Sequence, residues 1–284
     1  MWATFFTLLS IAAIYNVIAL LGISWEVAIG VFFAYMMYLP PQCDSVRRWR
    51  LFEWLRGPQC SLSYTGNVDL LKEAKGRIFV FHPHGVHCAG AVLLGSDPAM
   101  AHVRIACTYF LFWVPVAKEF VAWSGCINCT DFNIKKALKA ESPVVLYPGG
   151  ISEIPGADHL REPAFKKQPS ETDAHYVYTR RKGFVRLAME QGCEIVPCWV
   201  HGEVDLYDVV HPFPSIGKKC YEWFRYPWPV VSWGWRWVPF LPKKQTVTIE
   251  VGKPIATRLD GDLDAYHADY KAELARLSAP YIKT

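Results

Sequence analysis

His82, Pro83, His84 and Gly85 follow directly on Ile78-Phe79-Val80-Phe81, a β-branched and aromatic run that reads as a buried strand. Imidazoles at a strand end can take and return protons near neutral pH. A second run, Pro143 to Leu146, leads into Tyr147-Pro148-Gly149-Gly150-Ile151-Ser152-Glu153, a glycine pair followed by a carboxylate. Two such strand ends can converge on one site, where a base takes a proton and backbone amides at the glycine pair meet an oxyanion. His82 and His84 are the candidate bases. Gly149 and Gly150, without side chains, allow backbone to approach the oxyanion closely. Either motif alone also fits an ordinary turn holding a satisfied histidine or a Pro-Gly-Gly bend.

Two further segments carry chemistry. Arg181, Lys182 and Gly183 open a predicted helix, and a helix N-terminus beside cations is a natural site for phosphate groups; a solvated basic face is the plainer reading. Val196-Pro197-Cys198-Trp199-Val200-His201-Gly202-Glu203 ends another apolar run. His82-x-His84-x-x-His87 also brushes against the H-x-H-x-D-H pattern of binuclear metal sites, with Cys88, His201, Glu203 and His211 as further ligand types, but Val86 stands where that pattern has its aspartate. No metal is assigned.

Taken in order, the four segments resemble the diacylglycerol acyltransferase type 2 family, which includes monoacylglycerol and wax-alcohol acyltransferases, from about Pro40 to the C-terminus. The resemblance implies an α/β fold, a glycerolipid-acyltransferase-like mixed sheet flanked by helices, with an N-terminal membrane-embedded segment. It implies a membrane-bound O-acyltransferase of the endoplasmic reticulum or lipid droplet, joining acyl-CoA to the hydroxyl of a neutral glyceride or alcohol, diacylglycerol first among them. His84 then holds the Pro-His position of the base, with His82 second and Glu153 as the site carboxylate. Pro83, Gly85, Gly149, Gly150, Arg181, Lys182, Gly183 and Glu203 line the substrates, with coenzyme A phosphates at the Arg181 segment. Acyl-CoA is a co-substrate and no cofactor is expected. The wider superfamily pairs its histidine with an aspartate five positions on; counting from His84 that position is Ala89, and from His82 it is His87. Spacing alone therefore does not identify the group that orients the base. A lipid-binding scaffold with structural histidines is the reading of another class, and homo-oligomerisation stays open.

What must position these residues is legible in the rest of the chain. With 284 residues, 52% of them hydrophobic, the chain has ample material for one large core. A net charge of +4 without a long basic block argues against nucleic acid. Nine cysteines with one C-x-x-C pair, Cys126 and Cys129, fit reduced thiols better than a disulfide framework. Residues 2–23 hold no charged side chain, long enough for about 30 Å of helix, and a second apolar stretch runs from Val27 to Leu39. Residues 1–42 are thus expected to anchor the chain and 43–284 to form the catalytic domain, which Arg47, Arg48 and Arg50 place on the cytosolic side. Strands are predicted over 77–81, 103–109, 144–147, 194–200 and 245–251, and helices over 70–75, 133–140 (after a capping Asp131), 181–191 and 264–277, with another beginning after His84. Two stretches, 155–178 and 223–242, read as irregular. The second, rich in tryptophan and proline, fits either a membrane-interface loop or an aromatic loop packed on the core.

Overall fold

The computed structural model describes residues 24–38, 41–155, 177–224, 230–238, 241–258 and 261–279. The first proposed membrane segment, 2–23, lies outside the described residues, as do most of 155–178 and parts of 223–242. Among the described residues no helix is long and apolar enough to cross a membrane. The second apolar stretch forms helix α1 (Trp25–Met37), whose Val27, Ile29, Val31, Phe33 and Met37 are all exposed. Lys118, itself buried, fastens this helix to the domain by donating to the carbonyls of Tyr35 and Tyr38 at the helix end. Its ammonium also sits 3.6 Å from the Tyr35 ring centre.

A seven-stranded sheet organises the chain, built from β1 (Cys60–Gly66), β2 (Ile78–His82), β3 (Arg104–Cys107), β4 (Cys126–Asn128), β5 (Val144–Leu146), β6 (Ile195–His201) and β9 (Gln245–Val251) in the spatial order β1-β9-β6-β2-β5-β3-β4. The pairings are parallel except β6 with β9, which is antiparallel. A small second sheet pairs β7 (Asp208–Val210) with β8 (Val231–Trp233).

All five residues of β2 are buried, as a central parallel strand covered on both faces should be. Its side chains alternate between two cores. Phe79 and Phe81 pack with Val145, Val196, Cys198, Val200 and the helix α2 (Ala89–Ser96). Ile78 and Val80 pack with Leu146, Trp199 and three helices, α4 (Asp131–Lys139), α5 (Gly183–Gln191) and α7 (Leu263–Ser278), through Ile134, Leu138, Phe184, Val185, Tyr266, Tyr270 and Leu274. Two further helices are α3 (Ala117–Trp123), which carries Lys118, and α6 (Pro214–Phe224).

The mixed α/β architecture agrees with expectation, and β9 has the predicted bounds. Three local readings are corrected. Thr130, not Asp131, caps α4, its hydroxyl accepting from the Asn133 amide at 3.3 Å. The helix expected over 181–191 begins at Gly183 and closes, as expected, on Gly192 in the left-handed region. The stretch 223–242 is not wholly irregular, since it contains β8 and a 3-10 turn at Trp235–Trp237.

Candidate active site

Because β2, β5 and β6 run parallel, their carboxyl ends open on the same edge, the usual place for ligands in parallel α/β sheets. The first motif leaves β2 there, the second leaves β5 and the fourth leaves β6. Glu153 joins the first two. Its carboxylate, 2% exposed, accepts from His82 Nδ1 at 2.6 Å and the Tyr178 amide at 2.8 Å with Oε1, and from the His84 amide at 2.9 Å with Oε2. A carboxylate so buried needs this many donors.

The two histidines are held differently. His82 is fully buried, and its second nitrogen, Nε2, meets the Tyr270 hydroxyl at 2.6 Å. With Nδ1 donating to Glu153, Nε2 accepts from Tyr270, and both nitrogens are taken. His84 is half-buried. Its Nδ1 lies 2.7 Å from the Gly85 carbonyl, which can only accept, so Nδ1 carries the proton and Nε2 keeps its lone pair. That lone pair faces the Cys88 sulfur at 3.1 Å. Burial holds the His84 pKa below the ordinary 6.5, against the opposing pull of the Gly85 carbonyl and Glu153, so the ring is neutral at pH 7.

The glycines make room. A Cβ on Gly149 would lie 1.9 Å from the Glu153 carboxylate, so the glycine lets that side chain fold back over its own turn. Gly150, at φ +52°, donates its amide to the Tyr147 carbonyl at 3.2 Å. That bond lies within the glycine's own turn. Gly85 occupies φ +59°, and a Cβ there would meet Glu203 at 2.8 Å. Pro83 follows a cis peptide bond.

Glu203, from the fourth motif, does not face open space. It is 2% exposed and accepts from the amides of Ala89 and Gly90, each at 2.6 Å, so it holds the start of α2. Burial pushes its pKa up to about 8 although both amides pull it down.

From the third motif, Arg181 reaches the site, donating to the Pro148 carbonyl at 2.9 Å. Lys182 turns away to pair with Asp264 on α7. A Cβ on Gly183 would meet nothing within 4 Å, so the start of α5 has space beside it.

The motifs give no role to the side chains of Tyr147, Tyr178 and Tyr270, which the structure brings to the site, and they offer Cys88 only as a ligand type. Tyr147 stacks edge-on against His84, with ring centres 5.3 Å apart. Tyr270 falls within the helix expected over 264–277, and a buried tyrosine hydroxyl on such a helix signals a polar partner. Among the described residues no group of three or more histidine, cysteine or acidic side chains is arranged to hold a metal ion.

Comparison with known proteins adds an independent line. A diacylglycerol O-acyltransferase 1 from Eremothecium gossypii is 26% identical over 262 residues, covering 82% of this chain and 54% of that protein. A human acyl-CoA wax alcohol acyltransferase 2 is 27% identical over 239 residues, covering 74% of this chain and 65% of its own. The chain thus spans between about half and two thirds of these relatives. A solved 1-acyl-sn-glycerophosphate acyltransferase, PlsC, from Thermotoga maritima aligns over 98% of this chain and 96% of its own, at 12% identity and a TM-score of 0.45. The family model described as diacylglycerol acyltransferase matches residues 31–283, which contain all four motifs, and the chain belongs to that family.

Proposed function

We propose that this chain is an acyl-CoA-dependent O-acyltransferase that esterifies the hydroxyl of a neutral lipid, diacylglycerol in the first place, with His84 as general base. The observation that carries the reading is the division of labour around Glu153. One carboxylate clamps the ring of His82 and the backbone of His84, while the His84 ring is left with an unprotonated Nε2. In the proposed reaction Nε2 takes the acceptor proton as the oxygen attacks the thioester carbonyl, then returns it to the departing sulfur of coenzyme A. His82, Glu153 and Tyr270 act as positioning residues. Arg181 and the open start of α5 are assigned to the phosphates of acyl-CoA. No cofactor is assigned.

Membrane attachment is part of the proposal. The exposed apolar side chains of α1 support it, and the segment 2–23 is assigned to the same anchor. The active edge is placed on the cytosolic side of the endoplasmic reticulum, where acyl-CoA arrives from water and the acceptor from lipid. The relatives' names, one for diacylglycerol and one for wax alcohol, keep an alcohol acceptor as an alternative, beside monoacylglycerol, which presents the same hydroxyl. Apolar pockets separate such bodies weakly.

The test is an assay of membranes containing the protein with labelled acyl-CoA and separate diacylglycerol, monoacylglycerol and long-chain alcohol acceptors, with the products identified by mass. Ester formation that disappears in His84→Ala at normal protein abundance is expected. Lipid binding without ester formation from any acceptor would instead favour a scaffold.

A further inference from the structure

Helix α6 turns one face inward and leaves another bare. Its Tyr221 joins Val86, Ile151 and Val209 in packing around the buried Ile154, the residue after Glu153, so the helix rests on the two loops that carry His84 and the site carboxylate. Strand β8 is tied to the same place, its buried Ser232 meeting His87 Nε2 at 2.7 Å. On the outer side Phe213, Ile216 and Trp223 fall at the spacing of one helical stripe, and all three are exposed, Trp223 to 78%. The 3-10 turn beyond β8 adds Trp235, Val238 and Trp237, the last 75% exposed. Cations are interleaved with these rings. Lys218 and Lys219 are exposed on α6, and the Arg236 guanidinium lies 4.4 Å from the Trp235 ring centre, while Glu222 is the one carboxylate in the two segments 213–223 and 235–238. The proposed reaction gives none of these outward side chains a task.

We infer that α6 and the Trp235–Trp237 turn form a second lipid-binding surface, distinct from α1, which takes an anionic phospholipid bilayer and seats the catalytic loops against it. Indoles, with an apolar body and a polar edge, settle at the level of the headgroups. Lysine decides between a lipid and a protein occupant: it is depleted at protein–protein interfaces, whereas a helix lying on a membrane sets lysines beside its apolar stripe. The sign of the charge matches as well, since Lys218, Lys219 and Arg236 outnumber Glu222 and the cytosolic leaflet is negative. The two contacts are apart in the fold. Helix α1 is fastened to α3, which packs on β4 at one edge of the sheet, while α6 lies over the loops leaving the central strands β2 and β5. A neutral acceptor dissolved in the bilayer then meets His84 without crossing water. That last step rests on the acyltransferase reading; the lipid contact does not.

The test uses the full chain in vesicles of phosphatidylcholine, alone or mixed with phosphatidylserine, with a photoreactive benzophenone side chain placed at Ile216, at Trp237 or, as a control, at Asp69. Asp69 is exposed and follows the carboxyl end of β1, which opens on the opposite edge of the sheet because β1 runs parallel to β9 and β9 antiparallel to β6. Irradiation should attach phospholipid at 216 and 237 but not at 69, and more of it in the vesicles with phosphatidylserine. There, Lys218→Glu with Lys219→Glu should lower the yield by about fivefold or more. The same pair should raise the KM for a long-chain glyceride acceptor and leave the KM for acyl-CoA unchanged. No lipid at 216 and 237, equal labelling at 69, or attachment to a second copy or another protein in place of lipid would each overturn the inference, and an unchanged acceptor KM after loss of labelling would overturn the seating of the catalytic loops. Lipid attachment without ester formation from any acceptor would leave this surface standing and remove the acyltransferase reading. Ester formation without lipid attachment would do the reverse.

Discussion

Gly149 and Glu153 compete for one volume: a single methyl group on the glycine would overlap the carboxylate on which His82 and the His84 backbone depend. Gly149→Ala should therefore act at a distance. Displacing Glu153 leaves His82 and two amides without their acceptor, a loss of about 1–3 kcal/mol for each unsatisfied group. The expected outcome is a lowered melting temperature together with a large loss of ester formation, read by thermal unfolding and the acyl-CoA assay on the same preparation. Wild-type activity in this variant would show that the Glu153 clamp is dispensable.

His84 and His82 should separate cleanly on replacement. His84→Ala removes the proposed base from a half-buried position, so turnover should fall about 10²- to 10⁴-fold with little change in stability. His82→Ala leaves Glu153 and the Tyr270 hydroxyl facing each other across a fully buried gap, so stability should fall first. Equal melting temperatures for the two variants would contradict this assignment.

The pH profile follows from His84. Burial lowers its pKa from 6.5, and a base works only when unprotonated, so activity should rise with pH along an acid limb below about 6.5 and be flat by pH 7. A limb centred above 7 would assign it to another group.

Glu203 bears on stability with the opposite sense. Its pKa, about 8 in the folded chain against 4.5 for the free side chain, means the folded state holds a proton that the unfolded state has lost between those values. Its stabilising contribution is complete below 4.5 and disappears as pH rises through 8, with a slope of at most about 1.4 kcal/mol per pH unit. Glu203→Gln, which stays neutral, should flatten that part of the curve in denaturant titrations at several pH values.

Tyr270→Phe keeps the ring and removes only the donor to His82 Nε2. A loss of about 1 kcal/mol in stability is expected, with a lowered kcat at unchanged KM, because the tyrosine is fully buried behind His82. A changed KM with normal kcat would move Tyr270 into the binding surface.

The central strands were legible because burial on both faces demands uninterrupted apolar runs: β2, β5 and β6 have them, and β9 alternates Val247, Ile249 and Val251 toward the core. Strand β1 escaped notice because at the edge of the sheet only Cys60 is buried, leaving serines, a threonine and a glycine to be tolerated. Strands β4, β7 and β8 are three residues each, too short for a period to show. The His and Glu of the site could be read from their motifs, since local sequence places both at strand ends. The Tyr270 contact could not, because the sheet order alone carries α7 back across to β2, and Cys88 lacked any signal beyond its nearness to His84 in the chain.

That contact has a consequence for synthesis. His82 and Tyr270 are 188 residues apart. At about 5–20 residues per second, the ribosome takes roughly 10–40 s to deliver the tyrosine after the histidine. During that interval β2 waits first for β6, then for β9 to join β6, and last for the hydroxyl that fixes its own final residue, so this edge of the sheet is among the last parts of the nascent chain to become native. A chain that stalls before α7 emerges holds a complete sheet whose His82 still lacks the Tyr270 hydroxyl.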